Sequence, residues 1–325
     1  MINAVLVLDK PAGCSSHDIV NRVRRITGER SVGHLGTLDP MATGVLPLVL
    51  GRYTRLAQFF KDASKVYEGE ICFGFSTDTY DAEGEPVGPV SDAEHLTLGE
   101  IQRHLPALTG CILQLPPVYS AKKINGVAAY KLARNDKPVE MKAVQVEVRR
   151  FEILSVCGNR ARFVAEVSAG TYIRSLAHEV GQALGCGAHL SALRRTQAGE
   201  FLISKATTVE ELERFQASQT ERITVPADSV SDNGYSDKVD LIEKNASPFL
   251  HPRQILAGFP SVTASPQIIT AIRNGRSVNL PEFSDAPLVK VFANQELLVA
   301  IMHRIAGTLF QPSVVLFGGN ESLPF

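Results

Sequence analysis

The chain opens on an apolar run, Ala4 to Leu8, that stops at Asp9-Lys10-Pro11-Ala12-Gly13. This pattern predicts a short buried strand closed by a turn. Ser15 precedes Asp18 by the three residues of a capping box, and Ile19, Val20, Val23 and Ile26 then recur at helical intervals until Gly28. An amphipathic helix is expected there, its outer face carrying Arg22, Arg24 and Arg25. The stretch Gly33-His34-Leu35-Gly36-Thr37-Leu38-Asp39-Pro40 reads as a loop, and the apolar run Met41 to Gly51 behind it as a core strand. Gly33 and Gly36 predict backbone angles other residues resist, while Pro40 pushes Asp39 out of the α region. Tyr53 to Phe60 reads as a second helix, with Leu56, Phe59 and Phe60 inward. Lys65 to Gly74 alternates like a half-buried strand, which puts Tyr67, Gly69, Ile71 and Phe73 on one face.

Further along, Leu98, Ile101, Leu105 and Leu108 predict a helix stopped by Gly110. Gln114 to Lys123 is held extended by Pro116 and Pro117, and a helix is expected from about Ala128 to Arg134. Val144 to Val156 and Arg162 to Val167 alternate as two strands joined at Gly158-Asn159, and Ser168 to Gly181 reads as a strand running into a helix. Arg174 stands at the start of that helix, where a cation opposes the macrodipole, so an acidic partner from elsewhere in the chain is expected. Gln219 to Asn245 is polar and reads as a linker or mobile loop. Periodicity resumes near Phe249: a short helix at Ile268, Ile269 and Ile272, then strands at Leu288 to Phe292, Leu297 to Met302 and Val314 to Phe317. A catalytic unit over 1–218, a linker over 219–248 and a small β-rich unit over 249–325 are the expected divisions.

Composition changes this picture little. No apolar run approaches membrane-spanning length and the first residues lack a basic n-region, so a cytoplasmic protein without a membrane partner is expected. The five cysteines form no C-x-x-C pair and read as reduced, buried, small apolar residues. Charge is more informative in its distribution than in its net value of -1. Residues 1–61 hold eight Lys/Arg against four Asp/Glu and residues 101–205 fifteen against seven, whereas residues 62–100 hold one against ten. A basic face sufficient for nucleic-acid phosphate contacts is thus expected from the two segments richest in motifs.

Several chemistries find no motif. His178-Glu179 lacks the second histidine of a zinc-protease helix, and no phosphate-binding Gly loop, dinucleotide fingerprint or Gly-x-Ser-x-Gly elbow occurs. The turn Ser76 to Glu85 has the acidic spacing of a calcium loop only in part and reads as solvated. What remains is a chemistry of one aspartate, one arginine and aromatics, with no cofactor and no metal expected.

These blocks also carry a resemblance. Leu8-Asp9-Lys10-Pro11, the Gly33 to Gly51 stretch, Lys65-Val66-Tyr67, Thr77-Asp78-Thr79-Tyr80-Asp81, Pro116 to Lys123, Gly170-Thr171-Tyr172-Ile173-Arg174-Ser175 and Leu193-Arg194-Arg195-Thr196 resemble, in order, the bacterial tRNA pseudouridine-55 synthase (TruB) family. The resemblance implies an α+β fold, a mixed and largely antiparallel sheet flanked by helices, with a small PUA-like C-terminal domain. It implies isomerisation of uridine to pseudouridine in the tRNA T loop, with Asp39 as the catalytic aspartate, Arg174 as its partner and Tyr67 stacking on the target base. His34, Asp81, Tyr172 and Lys10 fall with the substrate-binding positions, Lys10 at the pocket edge. The expected partner is a tRNA T-stem-loop, met by a monomer that needs no protein partner. Asp39 then attacks C1′, attacks the base, or takes a proton from C2′; in each case it is ionised, and a nearby Arg174 is expected to lower its pKa. A binding protein that refolds tRNA without essential catalysis is the rival reading.

Overall fold

The structure is a computed structural model that describes residues 2–120, 122–124, 127–129, 132, 141–224 and 247–318. Ten strands form one sheet. Its order is Phe249–Leu250, Ala4–Lys10, Thr43–Leu50, Ala188–Ala198, Lys65–Phe73, Arg160–Val167, Val144–Cys157 and Gly110–Gln114, with Val32–His34 and Phe201–Leu202 paired off this path. Neighbours are antiparallel at every pairing but one: Thr43–Leu50 and Ala188–Ala198 run parallel, with Arg195 opposite Gly44. A parallel pair cannot be closed by a hairpin and needs a long crossover. Here much of the second half of the sheet is built between the two strands, so the seam lies in the middle of the sheet.

Strand alternation explains how both faces are covered. Leu6 and Leu8 point to one face and Val5 and Val7 to the other, and all four are buried. On the Leu6 face lie the helices Ser16–Thr27 and Ile173–Leu184, with Val209 and Leu212 of a third. On the Val5 face lie the 3-10 helix Gly51–Phe59 and, through Ile255, Leu256, Phe292 and Ile301, the C-terminal unit. That unit is a five-stranded sheet, ordered Ser261–Thr263, Leu288–Phe292, Leu298–Ala306, Leu309–Val315 and Val278–Asn279, with the helix Pro266–Arg273 against it. Glu200 ties the two units together by accepting from the backbone N–H groups of Leu256 (2.6 Å) and Ala257 (3.0 Å).

The first helix starts on the expected capping box of Ser15 and Asp18 and ends at Gly28 in the left-handed conformation, φ 68°. Elsewhere local chemistry alters the expected elements. The helix from Leu98 ends at Gln102 and resumes as a 3-10 turn, Leu105–Leu108, because Pro106 lacks the N–H that continuation needs. Ser168 to Tyr172 is a turn, and Tyr172 is the N-cap of the helix that follows. A helix not anticipated from sequence, Val209–Thr224, starts where Thr208 and Glu211 cap each other's backbone N–H groups at 2.8 and 3.2 Å. It takes in residues 219–224 of the polar stretch; residues 225–246 lie outside the described residues, as does most of the helix expected over 128–134.

All five cysteines are free, but Cys72 alone is buried: Cys111 lies on the edge strand and Cys157 at a hairpin end, both exposed. Among the described residues, no helix is long and apolar enough to cross a membrane.

Candidate active site

The parallel seam sets four residues in one row across the sheet. Lys10 pairs with Gly44, Gly44 with Arg195, and Arg195 with Tyr67. Gly44 has to be glycine, since its φ is +100° and a Cβ would stand 2.2 Å from the Arg195 carbonyl oxygen. The loop carrying Asp39 crosses this row, and the two buried cations take its carbonyl groups. Lys10 Nζ donates to Pro11 O (2.8 Å) and Pro40 O (3.1 Å). Arg195 donates to Val45 O (2.7 Å), Thr37 O (3.2 Å) and Gly36 O (3.0 Å). Ser16 Oγ closes on Leu38 from the helix side, accepting from its N–H at 2.8 Å and donating to its carbonyl at 3.0 Å. Of the two loop glycines, Gly36 takes a left-handed φ of +124°, whereas Gly33 belongs to the strand Val32–His34 and has no positive φ.

Arg174, second residue of its helix and 4% exposed, faces two carboxylates from two loops. Nε lies 2.9 Å from Asp39 Oδ2, and Nη2 donates to Asp39 Oδ1 at 3.1 Å. Nη1 lies 3.2 Å from Asp81 Oδ2. The remaining donors reach Thr79 O and Tyr119 O, both at 3.0 Å. A guanidinium engaged on two planes of acceptors has little freedom left. Asp39 keeps 33% of its side-chain surface exposed, whereas Asp81 keeps 4%. Thr79 Oγ1 (2.6 Å) and the Glu83 N–H (3.0 Å) complete the shell of Asp81. Between Thr79 and Asp81, Tyr80 holds an uncommon φ of 63°, and its ring stacks on His178 at 3.9 Å and 12°. His178 is one helical turn beyond Arg174, so a single helix face grips the whole 79–81 turn.

Electrostatics here run against the sequence expectation in one respect. Burial pushes the Asp39 carboxyl above the usual carboxylate range; the attraction of Arg174 opposes this and the negative Asp81 adds to it, leaving the net direction upward. Arg174 does favour the ionised form, but desolvation outweighs it. Burial and the nearby Arg195 bring the Lys65 ammonium down to about 8. Burial raises the Tyr172 phenol and lowers His34.

Asp39 and Arg174 open into a cavity of about 280 Å³ whose walls include Tyr67, Tyr172, Lys65 and Gly170. Tyr67 is 6% exposed, and the backbone of Tyr172 is clamped at both ends by the buried Gln114, at 2.8 and 3.0 Å. Three predicted site residues stand off the cavity. Lys10 is wholly buried beneath the loop, Asp81 is sealed behind Arg174, and His34 ends its own strand with Nδ1 buried and unpartnered. The structure places Lys10 and Asp81 against other protein groups, outside the lining of this cavity. A larger groove of about 590 Å³ shares Leu193 with the cavity, but neither Asp39 nor Arg174 lines it. Sequence reasoning missed Arg195, Lys65 and His178 as site residues. The spacing of Arg174 and His178 was a usable signal, and Arg195 stood inside a recognised block.

Comparisons with known proteins identify the family. A profile described as "TruB family pseudouridylate synthase (N terminal domain)" matches residues 24–173, and one described as "tRNA pseudouridylate synthase B C-terminal domain" matches residues 174–230. The chain is 42% identical over 318 residues to "tRNA pseudouridine synthase B" of Solibacter usitatus, covering 97% of this chain and 100% of that protein. It is 45% identical over 331 residues to the protein of the same name from Arthrobacter sp., covering 99% of each. Among solved structures, one titled "Structure of H/ACA RNP bound to a substrate RNA containing 2'-deoxyuridine" shares the fold, with a TM-score of 0.67 at 23% identity over 98% of this chain and 86% of that one. With identity of this order over nearly the full length of both chains, and an aspartate and arginine from distant segments meeting at one cavity, the chain belongs to the TruB family of pseudouridylate synthases.

Proposed function

We propose that this chain isomerises uridine to pseudouridine in the T loop of tRNA, at position 55, with Asp39 as the catalytic residue. The observation that carries the reading is a carboxylate gripped through both oxygens by a buried guanidinium yet left one-third open to a cavity. The reaction breaks the C1′–N1 bond, turns the uracil within the site, and joins C1′ to C5; the C5 proton leaves and N1 gains one. No electrons are exchanged with a partner. A stacked base is inaccessible to the cavity, so the nucleotide is flipped out, and the loss of a few kcal/mol of stacking is offset in part by aromatic walls. Tyr67 and Tyr172 supply those walls. Arg174 keeps Asp39 oriented and favours its ionised form against burial, as each route open to the carboxylate requires.

Asp81 and Lys10 act as positioning residues in this reading, Asp81 by fixing Arg174 from behind and Lys10 by holding the loop at Pro40. The β-rich C-terminal unit beyond Leu250 is read as the PUA-like domain, and the chain as a cytoplasmic monomer that works without a protein partner. The test is to incubate the purified chain with a bare T-stem-loop and map pseudouridine by chemical modification. Product at the T-loop uridine is expected, and it is lost in Asp39→Asn while RNA binding remains. Equal RNA refolding by wild type and Asp39→Asn, with product from neither, would favour a binding protein instead.

A further inference from the structure

Several cations near the catalytic sheet are paired with carboxylates. Arg22 meets Glu210 and Glu213, Arg149 meets Glu147, Arg150 meets Glu152, Arg160 meets Glu70, and Arg194 holds Asp9 through two bonds of 2.6 and 3.1 Å. Among the described residues these pairs neutralise part of the positive charge of the basic segments. Lys65 and Arg195 differ. Among the described residues neither has a carboxylate within ion-pair distance, and both converge on Gly36 at the cavity. A Cβ there would stand 3.5 Å from Arg195 Nη1 and 3.5 Å from Lys65 Cε. Arg195 is 0% exposed and bonded to three carbonyl groups, so it is a fixed charge beneath the surface. Lys65 lines the cavity and uses one donor, Nζ to Ala63 O at 2.6 Å. Lys61, exposed on the same rim, has Asp62 at 3.9 Å as its partner.

Two like charges held together beside a partly enclosed cavity repel, and either would be better placed next to an anion. Burial first, and the repulsion of Arg195 second, depress the Lys65 ammonium. Among the described residues the one carboxylate lining this cavity, Asp39, is already matched by Arg174.

We infer that Lys65 and Lys61, over the buried Arg195, form an anion subsite at the mouth of the Asp39 cavity that takes a backbone phosphodiester of the RNA next to the flipped nucleotide. The inference rests on the function proposed above. Uracil is neutral, so the anion a bound uridine brings to this rim is the phosphodiester on its 5′ or 3′ side. Lys65 is thereby a substrate-binding residue that grips the backbone while Tyr67, two residues along the same strand, faces the base. The phosphodiester contact draws the flipped sugar toward Asp39 and favours the charged form of Lys65.

Binding of the full chain to T-stem-loops measures this directly. Three RNAs are compared: one all-phosphodiester, and two with a neutral methylphosphonate 5′ or 3′ of the target uridine, each against wild type, Lys65→Met and Lys65→Arg. Lys65→Met is expected to weaken binding about tenfold and to lower the slope of log K against log salt by about 0.7, the release expected for one single-strand phosphate contact. One methylphosphonate should weaken wild type and Lys65→Arg by a similar factor and leave Lys65→Met unchanged. Equal losses for each methylphosphonate in all three proteins would overturn the inference. Competition by inorganic phosphate that disappears in Lys65→Met, without any methylphosphonate coupling, would assign the subsite to a free anion and likewise overturn it. A wild type that binds the stem-loop but forms no pseudouridine sinks the parent reading; a wild type that forms it with uncoupled methylphosphonates sinks this inference alone.

Discussion

Two loops bring the same chemical group to the same guanidinium. The Gly36–Pro40 segment delivers Asp39 and the 76–87 hairpin delivers Asp81, at 2.9 and 3.2 Å from Arg174. The difference is access: Asp39 faces a cavity, and Asp81 is enclosed by Thr79, Glu83 and the guanidinium. Each loop is held by its own device. Buried cations pin the first through its carbonyls, and a Tyr80–His178 stack steadies the strained backbone of the second. In the proposed reading the open carboxylate reacts, while the enclosed one holds their shared partner still. An arginine facing a single carboxylate could follow it; one facing two, on opposite sides, cannot.

Substitutions can break that comparison, beginning with the largest effect. Asp39→Asn should lower pseudouridine formation by at least about 10³-fold, the scale of losing a nucleophile or general base. Its melting temperature should equal or exceed that of wild type. Burial raises the folded-state pKa of Asp39 above the unfolded one, so its contribution to stability is full below the ordinary carboxylate range and is lost as pH rises through the folded value. At neutral pH a neutral isostere therefore removes a penalty. Arg174→Ala should cost about 3–5 kcal/mol in denaturant unfolding, because two carboxylates lose their buried partner, and should also abolish product.

Asp81→Asn sharpens the contrast. Its expected loss is smaller, about 10- to 100-fold in kcat with KM little changed, because Arg174 loosens while the cavity stays intact. The acid limb of its kcat profile should move to lower pH, since the negative charge that raises Asp39 is gone. An Asp81→Asn enzyme with unchanged kcat and raised KM would instead place Asp81 against the nucleotide. Lys10→Met should have the smallest effect, about 1–3 kcal/mol of stability from leaving the Pro11 and Pro40 carbonyls unpaired, with a modest fall in kcat.

How far the sequence anticipates this depends on how local each interaction is. The Ser15–Asp18 cap, the Lys65–Phe73 strand and the Gly28 stop depend on neighbours a few residues away and were legible. The link between Arg174 and a distant carboxylate was legible for another reason: a cation at a helix start needs an explanation. The row of Lys10, Gly44, Arg195 and Tyr67 was not, because it exists only once a parallel seam joins strands far apart in the chain. The sealed position of Asp81 and the pairing of Arg22 with Glu210 and Glu213 are likewise products of packing that no local pattern encodes. Counting charges by segment suggests a broad basic face; among the described residues, ion pairs across strands and helices neutralise part of it.

The central claim is that Asp39 performs the chemistry and Asp81 holds the arginine. Joining C1′ to C5 releases the hydrogen of C5, so tritium release from a T-stem-loop labelled at that carbon, measured in a single turnover at saturating enzyme, reads the step itself. The account predicts full release by wild type, slow but complete release by Asp81→Asn, and none above background by Asp39→Asn despite equal RNA binding. Release by Asp39→Asn at a rate like that of Asp81→Asn would contradict it.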